Sequence, residues 1–144
     1  MINFIHFTPY TLHYTPYTVH QLRRWITAVA AQYGFATGDI NYIFCDDAKI
    51  LEVNRQFLGH DYYTDVITFD YSTASRISGD IYISLDTVAS NAEQLGIAFE
   101  DELQRIIIHG VLHLTGQADK TPETKAQMTA KEEQALALYK QMNN

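Results

Sequence analysis

Cysteine occurs once in the 144 residues, at Cys45, which excludes an internal disulfide and any metal cluster built on several thiolates. Cys45 falls in an apolar run, where an inert buried thiol is expected rather than a nucleophile. Positive charge is also scarce: 10 Lys and Arg stand against 17 Asp and Glu, for a net charge of −7. That balance argues against generic nucleic-acid affinity, which rests on an excess of Lys and Arg, and no DNA partner is expected. Arg23, Arg24, Lys49, Arg55, Arg76 and Arg105 are scattered, and no basic patch can be read from them. No long apolar run is present, and Met1-Ile2-Asn3-Phe4-Ile5 does not begin a signal peptide. A cytoplasmic protein without a membrane partner is therefore expected. Repeats, low-complexity segments and linkers are missing too, and 47% of the residues are hydrophobic, so residues 1–144 read as one domain with a real core.

Periodicity supplies the order of elements. Ile2, Phe4 and Phe7 alternate with polar neighbours as a strand over 2–7, and Thr8–Thr18 reads as a loop or irregular strand. Leu22, Trp25, Ile26, Val29, Ala30 and Tyr33 follow helical spacing over 19–33, closed by Gly34. Ile40–Cys45 is a strand, and Asp46 or Asp47 caps a helix carrying Ile50, Leu51, Val53 and Phe57. After a turn-rich stretch at 58–63, strands are expected at 65–71 and 79–84, joined by a polar link over 72–78. Three helices close the chain, starting at Asp86, at Glu100 and at Pro122 or Glu123, the last with Met128, Leu136 and Tyr139 inward. The expectation is an α+β single domain: a mixed four-stranded sheet packed with about five helices.

The chemistry concentrates in His109-Gly110-Val111-Leu112-His113-Leu114-Thr115-Gly116-Gln117-Ala118-Asp119, which ends an apolar helical run. Histidines four residues apart lie on one helix face, so their ring nitrogens can reach a single ion. Gly116 is placed to stop the helix, and the chain then returns with Asp119. Two imidazoles and a carboxylate with a fourth position open form the ligand set of a catalytic zinc site, one ion per chain. The same pair could be core histidines bonded to carbonyls, and Asp119 before Lys120-Thr121-Pro122 could be a turn residue. His6, His13 and His20 have no partner at ligand spacing. Asp65 and Asp80 could orient ligands or water, or simply satisfy backbone donors.

The spacing His-x3-His-x2-Gly-x2-Asp matches metzincin peptidases, in which a Glu after the first histidine acts as base; here that position is Gly110. A closer match lies elsewhere. His109-Gly110-x-Leu112-His113-Leu114-x-Gly116 resembles the signature of the YbeY family of bacterial endoribonucleases. The likeness extends to Asn54-Arg55-Gln56-Phe57, to Asp61 and Thr64–Phe69, to Gly79–Ser84, and to Met128 with Glu132-Glu133. It covers roughly residues 40–136 in the family's order.

The resemblance implies a zinc-dependent endoribonuclease cleaving single-stranded RNA. It also implies work on the 3′ end of small-subunit ribosomal RNA, in ribosome quality control, with the small subunit and assembly proteins as partners. His109 and His113 match the first two metal ligands, and Asp119 stands where the third is usually histidine. Gln117-Ala118 replaces the common Tyr-Asp, and the usual arginine of the upstream block falls at Leu58. His60, two residues on, is taken as its partial replacement in the catalytic site. Two other functions compete: a ribosome-assembly factor with a structural metal, and a metzincin-like peptidase. A fourth protein ligand would favour the structural site, and an open position a hydrolase.

Overall fold

Four strands rich in β-branched and aromatic residues build the sheet on which everything else rests. In the computed structural model, which describes residues 1–6, 14–59 and 65–144, these are β1 (Ile2–His6), β2 (Ala36–Cys45), β3 (Val66–Asp70) and β4 (Arg76–Ser84). Their order across the sheet is β1-β2-β4-β3, with β1 and β4 parallel to β2 and β3 antiparallel to β4. The helices are α1 (Pro16–Gln32), α2 (Asp47–Val53), α3 (Leu85–Leu95), α4 (Phe99–Leu114) and α5 (Pro122–Met142). Among the described residues, the expected α+β architecture forms, a mixed four-stranded sheet packed with five α-helices.

Register decides which side chains face which layer. Ile2, Ile40, Tyr42, Phe44, Ile81 and Ile83 point to one face and join Leu22, Trp25, Ile26 and Val29 of α1 and Leu103, Ile106 and Ile107 of α4 in the main core. Each such side chain contributes about 1.5–3 kcal/mol when fully buried. The polar tips of the large aromatics are satisfied: Trp25 Nε1 donates to the Ala135 carbonyl at 2.7 Å and Tyr42 donates to the Ile107 carbonyl at 2.9 Å. The opposite face carries a smaller cluster, Cys45, Ile50, Val53 and Ile67, under α2. Cys45 is buried, and burial pushes its thiol up to about 12, in line with an inert role.

Some boundaries differ from the sequence reading, each for a local reason. Helix α1 starts at Pro16 rather than Val19, because the Thr15 hydroxyl accepts from the Thr18 amide and proline suits the first helical position. Strand β4 starts at Arg76 inside the expected polar link, since Ala36 and Thr37 of β2 pair with Arg76 and Ile77. Residues Asn54–Leu58 form a π-helical turn that continues α2 and ends on Gly59 at φ 67°. Asp46, of the two candidates, caps α2 through the Lys49 amide at 2.8 Å.

Candidate metal centre

Helix α4 presents His109 and His113 because its neighbouring positions are committed to the core: Ile106, Ile107, Ile108, Gly110, Val111 and Leu112 are all buried. Gly110 backs onto β4 so closely that a Cβ there would lie 2.8 Å from Ile81 Cδ1. The absence of a side chain thus brings helix and sheet together, and leaves no room for the carboxylate that a peptidase carries after its first histidine. Past Leu114 the chain turns on Gly116 at φ 100°, whose amide donates to the His113 carbonyl at 2.9 Å. This reversal carries Asp119 back over the helix end.

Three side chains that the sequence singled out therefore meet. Asp119 Oδ2 lies 3.3 Å from His109 Nε2 and 3.2 Å from His113 Nε2, and the three donor atoms all lie within 4.8 Å of one another. The rings are nearly perpendicular, at 86°, with centroids 4.5 Å apart. Behind them, His109 Nδ1 is 2.6 Å from Glu132 Oε2, and His113 Nδ1 is 3.0 Å from the Gln117 carbonyl. Both outer partners are acceptors, so a neutral imidazole with its proton on Nδ1 keeps that bond and leaves Nε2 with a lone pair for an ion. In that form three electron-pair donors face one another, an arrangement that a cation resolves.

The donor set fits such an ion. Two ligands held about 2.0–2.1 Å from one tetrahedral centre sit about 3.3–3.4 Å apart, which the two histidine–aspartate separations approach. Carboxylate and carbonyl partners on the far ring nitrogens are the usual means of fixing metal-binding imidazoles. Among the described residues, no fourth His, Cys, Asp or Glu donor joins the three.

Glu132 was given no role of its own from the sequence, yet it anchors the centre. It is 3% exposed on α5, and its second oxygen lies 3.2 Å from Arg105 Nη1. Arg105 also grips the fully buried Glu102 with two bonds, of 2.8 and 2.6 Å. Glu102 is the chief cause that raises the Arg105 guanidinium above its usual range, against the opposing effect of burial. Glu102, Glu132 and Asp119 together exceed Arg105 by two negative charges, which a divalent ion balances. The sequence signal was present: Glu132 lies midway between Met128 and Leu136, a charge on the inward stripe of a helix.

A cleft of about 300 Å³ opens beside the cluster, lined by Val66, Thr68 and Asp70 of β3 together with His113, Asp119 and Lys120. Lys120 is the cation among these lining residues, a part the sequence reading missed by treating it as turn. Asp65 lies 3.4 Å from the Asn91 side-chain amide, and Asp80, in the middle of β4 rather than at a strand end, accepts from Asn41, so these two carboxylates serve local bonds rather than the cluster. Leu58 is 43% exposed. His60 lies outside the described residues.

Comparison with known proteins bears on this arrangement. A family model described as Endoribonuclease YbeY matches residues 12–140. A Bacteroides thetaiotaomicron protein named Endoribonuclease YbeY is 60% identical over 114 residues, covering 79% of this chain and 83% of that protein. Proteins of the same name from Phocaeicola vulgatus (62% over 114 residues, 79% and 83% covered) and Porphyromonas gingivalis (54% over 118 residues, 82% and 78% covered) are also similar. A solution structure of a Thermotoga maritima protein shares the fold with a TM-score of 0.62 and 25% identity, over 98% of this chain and 93% of that one.

Proposed function

The chain belongs to the Endoribonuclease YbeY family, and from that membership we propose that it is a metal-dependent hydrolase of single-stranded RNA, using one zinc ion per chain at His109, His113 and Asp119. The observation that carries this reading is the convergence of two imidazole Nε2 atoms on one carboxylate oxygen, with both Nδ1 atoms already engaged. An ion held by these residues would supply Lewis acidity toward a phosphoryl oxygen and would make a bound water more acidic.

The chain's own residues do the rest. Glu132 and the Gln117 carbonyl hold the protons on His109 and His113 Nδ1 and aim the opposite nitrogens. Lys120, on the rim of the cleft, pairs with a phosphate and steadies the strand. Thr68 and Asp70 form the facing wall. His60 is assigned a supporting contact to phosphate, on the ground of its place beside the Leu58 position in the upstream block.

Three protein ligands without a fourth among the described residues favour a reacting site over a structural one. Gly110, pressed against Ile81, removes the general base of the peptidase alternative. The cellular reading follows from the family: maturation of the small-subunit ribosomal RNA 3′ end and ribosome quality control in the cytoplasm, with the small subunit and its assembly proteins as partners. No helix among the described residues is long and apolar enough to cross a membrane.

The test is cleavage of single-stranded RNA by purified protein, with metal content measured on the same sample and Asp119→Ala and chelated controls alongside. Cleavage lost in both controls, with one zinc per chain in the parent, is the expected result. One bound zinc without cleavage would overturn the nuclease reading in favour of an assembly factor with a structural metal.

A further inference from the structure

Strand β3 has two working faces. Its even-numbered residues Val66, Thr68 and Asp70 line the cleft of the metal centre. The odd-numbered Phe69, and Tyr71 just beyond, turn the other way and line a separate groove of about 250 Å³ with Phe57, Asp80 and Tyr82. Helix α2, through Ile50 and Val53, covers the part of this sheet face around Ile67 and Cys45, and the groove lies beside it.

The groove is built for a flat ring. Phe57 and Tyr71 are 60% and 64% exposed, unusual for large aromatics. Phe57 meets Phe69 edge-on at 5.9 Å, and Phe69 meets Tyr82 edge-on at 6.0 Å, so the rings present faces rather than closing on each other. Tyr71 is exposed on fixed backbone: its amide donates to the Ser78 carbonyl at 2.8 Å.

A polar row runs from this wall across the sheet. Asn3 donates to Asn41 at 2.9 Å, and Asn41 donates to Asp80 Oδ1 at 3.0 Å. The row fixes the Asp80 carboxylate, whose other oxygen has no partner among the described residues.

Resting on the reading that the chain acts on RNA, we propose that this groove is a subsite for an unpaired nucleobase of the same strand, with preference for bases carrying an exocyclic amino group. Exposed aromatic faces take unpaired bases by stacking. A lone carboxylate oxygen among them accepts from the amino edge of adenine, cytosine or guanine. Uracil flanks its single imino donor with two carbonyls, which the carboxylate repels. Its place supports the assignment, since β3 is the edge strand and its two faces line the groove and the cleft. A strand crossing the β3 edge places a base on one side and a phosphate on the other.

The experiment measures fluorescence anisotropy of labelled hexanucleotides of adenylate, cytidylate and uridylate with the full chain, stripped of metal so that no strand is cut. Expected is tighter binding of the adenylate and cytidylate strands than of uridylate, and a loss of about tenfold for Tyr71→Ala. Asp80→Asn keeps the contact to Asn41 but offers an amide, and shifts the preference toward uridylate. Tyr71 is exposed, so its variant retains the parent's thermal midpoint. Equal binding by parent and Tyr71→Ala, with RNA cleavage intact in the metal-loaded parent, would overturn the groove while leaving the nuclease standing. A parent that neither binds nor cuts RNA would overturn both. Tyr71→Ala converting a dimer to a monomer would reassign the groove to a second copy of the chain.

Discussion

Replacing Glu132 separates the metal centre from the helix that supports it. In Glu132→Ala, His109 loses its 2.6 Å acceptor, while Arg105 keeps both bonds to Glu102 and is not orphaned. Removing one member of a buried charge pair costs about 3–5 kcal/mol when the partner is stranded. Arg105 remains paired and its side chain is 32% exposed, so a loss nearer 2 kcal/mol of apo-protein stability is expected. The metal suffers separately: outer partners of metal-binding histidines are worth about 10–100-fold in affinity. At a fixed large excess of metal, a 100-fold weaker site lowers metal-induced stabilisation by about 2.7 kcal/mol. Two assays read these effects independently, namely competition with a chromophoric chelator and urea unfolding with and without metal. Glu132→Gln keeps an acceptor for His109 but loses the charge, and falls between parent and Glu132→Ala. A Glu132→Ala protein that matches the parent in chelator competition would refute the claim that this carboxylate orients the site.

Other consequences are open to simple measurement. His113→Ala and Asp119→Ala each remove a donor from the cluster and are expected to abolish stoichiometric zinc binding in metal analysis, whereas Cys45→Ser leaves it unchanged. Gly110→Ala drives a methyl group against Ile81 and is expected to cost about 1–3 kcal/mol in urea unfolding, with Ile81→Val in the same chain recovering part of it. The Cys45 thiol, pushed up to about 12 by burial, stays protonated at pH 8.5, so iodoacetamide should label it only after unfolding. His60→Ala is expected to slow RNA cleavage without changing zinc content; an unchanged rate would retire its assigned contact.

Much of the architecture was readable because its elements obey simple periods. The 3.6-residue spacing from Leu22 to Val29 and the apolar run Leu103–Leu112 left little choice of element, and the motif spacing alone brought His109, His113 and Asp119 into one reading. What escaped depends on tertiary neighbours. Thr15-Pro16 looked like loop because both residues favour turns, yet the same pair is a helix start once the Thr15 hydroxyl finds the Thr18 amide. Arg76 and Ile77 lay in a stretch that looked polar, and pairing with Ala36 and Thr37 of β2 makes them strand. Arg105 looked like one scattered cation; its meaning comes from Glu102 and Glu132, one turn away and on another helix. Gly110 was read as a missing base, while its positive role, the close approach to Ile81, needs the sheet to be present.

The single tryptophan has a practical consequence of its own. Trp25 is fully buried, stacks edge-on to Tyr139 at 4.9 Å, and donates its indole proton to the Ala135 carbonyl, one turn along α5 from Glu132. The molecule thus carries a built-in fluorophore on α1, packed against the helix that braces the candidate metal centre. Its emission reports the seating of α5 with no label and no competing indole signal. A titration of metal into the stripped protein, followed at the red edge of excitation, reads in real time how firmly that helix is held.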